Sequence, residues 1–409
     1  METRRKALRR LAAAAGAAGL SGCSRLLRPD PEPGVEGLPP NPHAERLPRR
    51  QFAQEAWLPT DDAGNAVQPR HRRLLLLRLD AEPSTEAART VERAMRTLES
   101  AYDWRPAGVF HALAWGTSYF ERVGALDRAP IEPPQVLSRT DDPDLLAFDA
   151  ALVLSSDVPS HLTAVDGAMF GSRSTLNGVA VERRLGDVFS VSERRTGFLG
   201  EGLPAAHADA EGIPEWGVPD DAPMFMGFFS GRRRTQAGED RVAIDSEPFA
   251  DGTTMHVSHL RQRLDAWWEG LADAGRVARM FSPEFSPADV SSFGDDVPFS
   301  DRVRDHGREH GVVGHHEKVA QVRRDGEPIV LRRDFNTVDG GRAGVHFVSL
   351  QRRLDDFRRT RKAMNGWYVR KEHEGITDRK NNGILEFIRV ASRANFYVPP
   401  RNRRSFPLY

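Results

Sequence analysis

Residues 305–351, DHGREHGVVGHHEKVAQVRRDGEPIVLRRDFNTVDGGRAGVHFVSLQ, decide how the rest of the chain is read. His306, His310, His315 and His316 stand ahead of a paired arginine, Arg332-Arg333, and an apolar run at 345–351 that reads as a strand. Neutral imidazoles ligate metals and haem iron, and a guanidinium held nearby stabilises charge developing on a bound oxygen species. The same histidines in a glycine-rich, charged segment also fit a solvated loop. The order of the elements favours a site: His315-His316-Glu317-Lys318, then Ile329-Val330-Leu331 running into Arg332-Arg333-Asp334, then the strand at 345–351.

Outward from this stretch, composition narrows the function classes. Lys+Arg and Asp+Glu are equal at 58 each, which leaves no net charge to recruit nucleic acid or an anionic bilayer. A hydrophobic fraction of 39% over 409 residues is enough to fill more than one module. Residues 1–23, METRRKALRRLAAAAGAAGLSGC, combine arginine pairs with a short Ala/Gly/Leu run, a signal-peptide pattern of the twin-arginine type. Cys23 is the single cysteine and closes a lipoprotein-like box, so the chain is expected to be exported and held by lipid on the outer face of the cytoplasmic membrane. Residues 24–70, rich in Pro and Arg up to about Gln51, read as an extended tether.

Two modules are expected beyond the tether, 71–205 and 206–409. The run Leu74-Leu75-Leu76-Leu77 reads as a buried strand. Ser84 then caps a helix whose apolar positions Ala87, Val91, Ala94, Met95 and Leu98 recur at helical spacing. Strands at 108–115 and 145–155, a helix at 160–170 and a last strand or pair at 178–191 complete a strand-helix-strand, strand-helix-strand unit. That order defines a ferredoxin-like α+β module with an antiparallel sheet. In the second module, strands are expected at 224–230, 252–260 and 345–351. Helices are expected at 260–271, where Trp267 and Trp268 are read as core, at 354–364, and at 384–394.

Several of these residues match one known family. Gly116-Thr117-Ser118-Tyr119-Phe120-Glu121-Arg122-Val123-Gly124 resembles its Gly-x-x-x-Phe-x-Arg-Leu-Gly turn, and the ending Phe396-Tyr397-Val398-Pro399-Pro400 is familiar from it. With the histidine and arginine segment, these make the chain resemble the dye-decolourising (DyP-type) haem peroxidases over about residues 70–400, most strongly after Met224. The resemblance implies two ferredoxin-like modules with antiparallel sheets, an architecture of the DyP-type peroxidase and chlorite dismutase kind.

The resemblance further implies haem b in the second module, with hydrogen peroxide and an unknown electron donor as partners. His315 fits the iron-ligand position, with His316 as the alternative one residue on. Arg333 takes the place of the arginine over the peroxide, with Arg332 beside it at the cofactor. Glu327, or Asp325, is placed to orient the ligand imidazole. Gly197 and Phe198 match the start of the family's Gly-Phe-x-Asp-Gly loop, but Gly200 stands where the aspartate belongs, which leaves Glu201 as the acid that handles the peroxide proton. That departure keeps open a haem-binding or haem-handling lipoprotein with little turnover. A non-haem metal protein using His306, His310, His315 and His316 is a further possibility.

Overall fold

The computed structural model describes residues 35–298 and 300–409. The signal-like stretch and Cys23 lie outside the described residues. Among the described residues no helix is long and apolar enough to cross a membrane.

In the first module β1 (His71–Leu79), α1 (Thr85–Ala101), β2 (Phe110–Gly116), β3 (Ala150–Ser156), α2 (Pro159–Met169) and β4 (Phe189–Phe198) follow in order. The strands pair antiparallel as β4-β1-β3-β2, the ferredoxin-like arrangement. The second module repeats it with β5 (Thr253–Gln262), β6 (Leu331–Arg332) and β7 (Phe335–Thr337) along one edge, β8 (Gly344–Gln351) and β9 (Ile388–Val398). Here the order is β9-β5-β8, with β6 and β7 both pairing with β8. Between its strands lie α3 (Asp273–Met280), α4 (Val303–His310), α5 (His315–Val319) and α6 (Leu354–Asn365).

The two half-sheets join at both edges. β9 pairs with β2 through Tyr397 and Phe396, and β7 meets β4 where Asn336 faces Phe198. The result is a closed antiparallel barrel, which removes the free sheet edges that would otherwise recruit other chains. β1 shows why its apolar run is continuous rather than alternating. Leu74 and Leu76 point into the barrel beside Phe335, Val348 and Phe396, while Leu75, Leu77 and Leu79 pack under α1 and α2. Both faces are covered, so both sets of positions are apolar.

α1 begins where the sequence places it, with the Ser84 Oγ accepting a hydrogen bond from the Ala87 N–H at 3.1 Å. Its inward stripe of Ala87, Val91, Ala94, Met95 and Leu98 is buried. Phe120 and Trp267 are core residues, both fully buried.

Four expectations are corrected. From residue 35 onward the segment read as a tether packs on the body: Val35, Leu38, Leu47, Phe52 and Leu58 are buried, and the Gln51 side chain bridges Leu113 and Pro399. Residues 224–230 are not a strand. Gly227 at φ +83° breaks the run, and the Phe225 N–H is satisfied by the Asn336 side chain instead of a neighbouring strand. Residues 384–394 form a short 3-10 turn, Gly383–Glu386, and then β9, because the barrel needs a stave between β5 and β2. The last strand of the first module lies later than 178–191, so Gly197 and Phe198 end β4 instead of forming a loop.

Candidate functional site

The outer face of the second half-sheet and the helices over it enclose a cavity of about 250 Å³. This is far more than the roughly 10–15 Å³ one water molecule needs. Its walls are largely apolar, with Met226, Phe228, Met280, Phe347, Phe357 and Met364 among them, and His315, His316, Arg332 and Asp334 reach it as polar groups.

α5 carries both histidines and is fixed from three sides. Gly314 starts it because any Cβ there would lie 1.8 Å from the Phe281 carbonyl oxygen. The buried Glu317 carboxylate accepts the Gly314 N–H at 2.6 Å and lies 2.6 Å from the His306 Nδ1; the Nε2 of the same ring is 2.8 Å from Glu284. Lys318, also buried, donates to the backbone carbonyls of Met364 at 2.9 Å and Asn382 at 3.0 Å, which ties α5 to the end of α6. Burial pulls its ammonium down to about 7.

Within that frame His315 forms no hydrogen bond to any described residue, and its Nδ1 is buried without a partner. Burial, together with the charges of Lys318 and Arg332, holds its imidazole well below the usual range, so the ring is neutral and keeps a lone pair. His316 also reaches the cavity but is engaged, with Nε2 3.0 Å from the Val297 carbonyl; burial lowers it to about 4. His306 is committed to Glu317 and Glu284, and His310 is exposed at the end of α4. Among the described residues no cluster of three or more His, Cys, Asp or Glu side chains is arranged to hold a metal ion.

The arginines change places relative to the expectation. Leu331, Arg333 and Phe335 point into the barrel, and Arg332 and Asp334, on the alternate face, line the cavity. Arg333 is buried and paired with Glu239 at 3.0 Å, so it does not face the site. Arg332 donates to Thr235 Oγ1 at 3.2 Å and has no carboxylate partner among the described residues.

The other expected site residues also move. Glu201 is exposed in a turn after Gly200 at φ +105° and lies outside the cavity wall; its backbone carbonyl accepts from Arg70. Gly197 is required by the barrel seam: a Cβ there would lie 2.0 Å from the Asn336 carbonyl oxygen, where β4 passes β7. Phe198 stacks on His207 with ring centroids 4.2 Å apart and belongs to the core. Glu327 is exposed in a two-residue strand paired with Arg323–Arg324, and it makes no bond to His315. Asp325 lies 3.8 Å from Arg241.

Asp334 and the methionines Met224, Met226, Met280 and Met364 were given no site role from the sequence, yet they line the cavity. Period-two alternation from Arg332 would have exposed Asp334. Nothing local marks the methionines, because they converge from loops and helices distant in the chain.

This architecture is that of the DyP-type peroxidases. The structure is similar to DyPB from Rhodococcus jostii RHA1 (TM-score 0.55, 15% identity, 84% of this chain and 96% of that one). It is similar also to a DyP-type peroxidase from Cellulomonas bogoriensis (TM-score 0.56, 18% identity, 85% and 97%). A third similar structure is the encapsulated DyP-type peroxidase from Mycobacterium smegmatis (TM-score 0.52, 13% identity, 85% and 98%). No curated protein matches the chain in sequence. The chain belongs to the family of unknown function DUF7405, whose sequence profile matches residues 69–400.

Proposed function

We propose that this protein is a haem-dependent peroxidase that uses hydrogen peroxide to oxidise an electron donor, with haem b held in the cavity of the second module. The observation that carries the reading is His315: a neutral imidazole with a buried, unpartnered nitrogen lining a large apolar cavity that a guanidinium free of any carboxylate, Arg332, also lines. An imidazole without a partner in a buried site costs roughly 1–3 kcal/mol unless something occupies the cavity beside it. Apolar walls suit a porphyrin face; the cavity-lining Arg361 and Arg393 are already paired with the buried Asp141, at 2.6 and 3.3 Å.

Haem bound there supplies an iron centre that peroxide oxidises and the donor re-reduces. His315 is assigned as the ligand in preference to His316, whose Nε2 already bonds the Val297 carbonyl. Arg332 lines the same cavity and would stabilise negative charge on the departing oxygen of bound peroxide. Thr235 holds its guanidinium, and the Gln236 side chain accepts the Arg332 backbone N–H at 3.2 Å, so both the backbone and the side chain of this residue are fixed. The apolar walls exclude water, which strengthens that charge interaction.

Titration of the purified chain with hemin tests the assignment. The expected result is one equivalent bound with a Soret band of a histidine-ligated haem, lost in His315→Ala and retained in His316→Ala. Retention in His315→Ala with loss in His316→Ala moves the ligand one residue on. A wild-type chain that takes up no hemin ends the reading.

A further inference from the structure

We infer that Asp334 is the residue that carries the peroxide proton, a role the turn containing Glu201 cannot fill. The inference rests on the peroxidase reading above. Among the described residues that line the cavity, Asp334 is the single carboxylate, and it makes no hydrogen bond or ion pair to any described residue. Asp334 feels the charge of the buried Arg72 but is hydrogen-bonded to no described residue, and a half-buried acid so held, set among the arginines of an apolar cavity, is positioned to exchange protons with a ligand there.

Asp334 lies in the two-residue link between β6 and β7, which stays extended and in register against β8, so it shares a face with Arg332, with Cα atoms about 7 Å apart. The backbone register leaves no freedom in this: Arg332 pairs with Ser349 and Phe335 with His346, and the Arg333 N–H donates to the Val348 carbonyl. The other acids near the strand are committed. Glu239 accepts from Arg333 and from the backbone N–H groups of Gln54 and Glu55 on the barrel side. Glu317 is committed to His306 and Gly314.

The proton balances on Asp334: its carboxylate takes the proton from one oxygen of hydrogen peroxide and delivers it to the other, which departs with the O–O electron pair as water, and the carboxylate is regenerated. Haem bound in the cavity would supply the two electrons and take up the oxygen left behind. Arg332 offsets the negative charge on the oxygens while the proton is in transit. General acid–base catalysis of this kind contributes roughly 10²- to 10⁴-fold in rate.

The test uses hemin-loaded full-length chain and two readouts: the rate of the spectral change on mixing with hydrogen peroxide, and the rate of cyanide binding, which needs a base to take the proton of HCN but involves no turnover. Asp334→Asn and Asp334→Ser are expected to slow both by 10²-fold or more with the hemin stoichiometry and Soret band unchanged. Asp334→Glu is expected to restore most of the loss, and Glu201→Gln to match wild type. Wild-type rates in Asp334→Asn, or slowing confined to Glu201→Gln, overturn the inference and leave the peroxidase reading standing. Failure of the wild-type chain to bind hemin overturns both.

Discussion

Arg332, at the end of β6, and Arg333, just after it, are chemically identical neighbours, yet they stand in opposite environments. Arg333 is sealed in the barrel, where it neutralises Glu239, whose carboxyl burial and the nearby Glu55 push up to about 7. Removing one partner of a buried pair strands the other charge, at a cost of roughly 3–5 kcal/mol. Arg333→Met is therefore expected to lower the urea midpoint strongly and to leave the peroxide reaction of hemin-loaded protein nearly unchanged. Arg332→Ala is expected to do the reverse, slowing the peroxide reaction by about 10²- to 10³-fold with stability within about 1 kcal/mol of wild type. The sequence shows that an arginine belongs at this point of the chain. It does not show which of the two, because a one-residue change of strand register exchanges the faces and only pairing with β8 fixes it.

At the scale of elements, the segment before β1 behaves as part of the barrel. Gln51 is fully buried, and its amide takes the place of a backbone partner for β2: Oε1 accepts the Leu113 N–H at 3.1 Å, and Nε2 donates to Leu113 at 3.1 Å and to Pro399 at 2.8 Å. Gln51→Ala would leave the buried Leu113 N–H without an acceptor, at roughly 1–3 kcal/mol for each group so exposed. A lower denaturant midpoint at unchanged m-value is the expected outcome, while a variant as stable as wild type would show that the segment only lies on the surface. Proline and arginine content marked this stretch as an extended tether, but from residue 35 it runs through turns and 3-10 segments at Ala44–Arg46 and Glu55–Trp57; composition carries no information about what a segment docks against. β1 and α1 were legible for the opposite reason, since a leucine run and a capped 3.6-residue stripe state their partners' character locally.

For the whole molecule, the number of buried neutral histidines governs the response to acid. Burial and the Arg393 charge hold His256 at about 3, while its ring nitrogens stay bonded to Asn395 and Ser258; burial holds His259 and His316 at about 4. Their unfolded value is near 6.5, so the unfolded chain binds more protons below that pH. The stability these rings contribute is complete above about pH 6.5 and is lost as pH falls through 4 to 3. Glu239 acts with the opposite sign: what it contributes is present below its ordinary carboxylate range and is lost as pH rises through about 7. Unfolding midpoints between pH 3 and 7 should fall steeply on the acid side, and His256→Gln should flatten that limb. A midpoint independent of pH below 6 would contradict this account.

Two alternating modules and most of the first module's strands and helices follow from the sequence, because periodicity, capping and residue type act over a few positions; the pairing of an imidazole with a guanidinium came from the family resemblance. Barrel closure, the docking of residues 35–58, the strand at Ile388–Val398 and the choice of Arg332 and Asp334 as the cavity pair were decided by tertiary structure. Each depends on which face of a strand meets which distant surface, and that is set only when β7 meets β4, β9 meets β2, and every side chain in the ring takes its side.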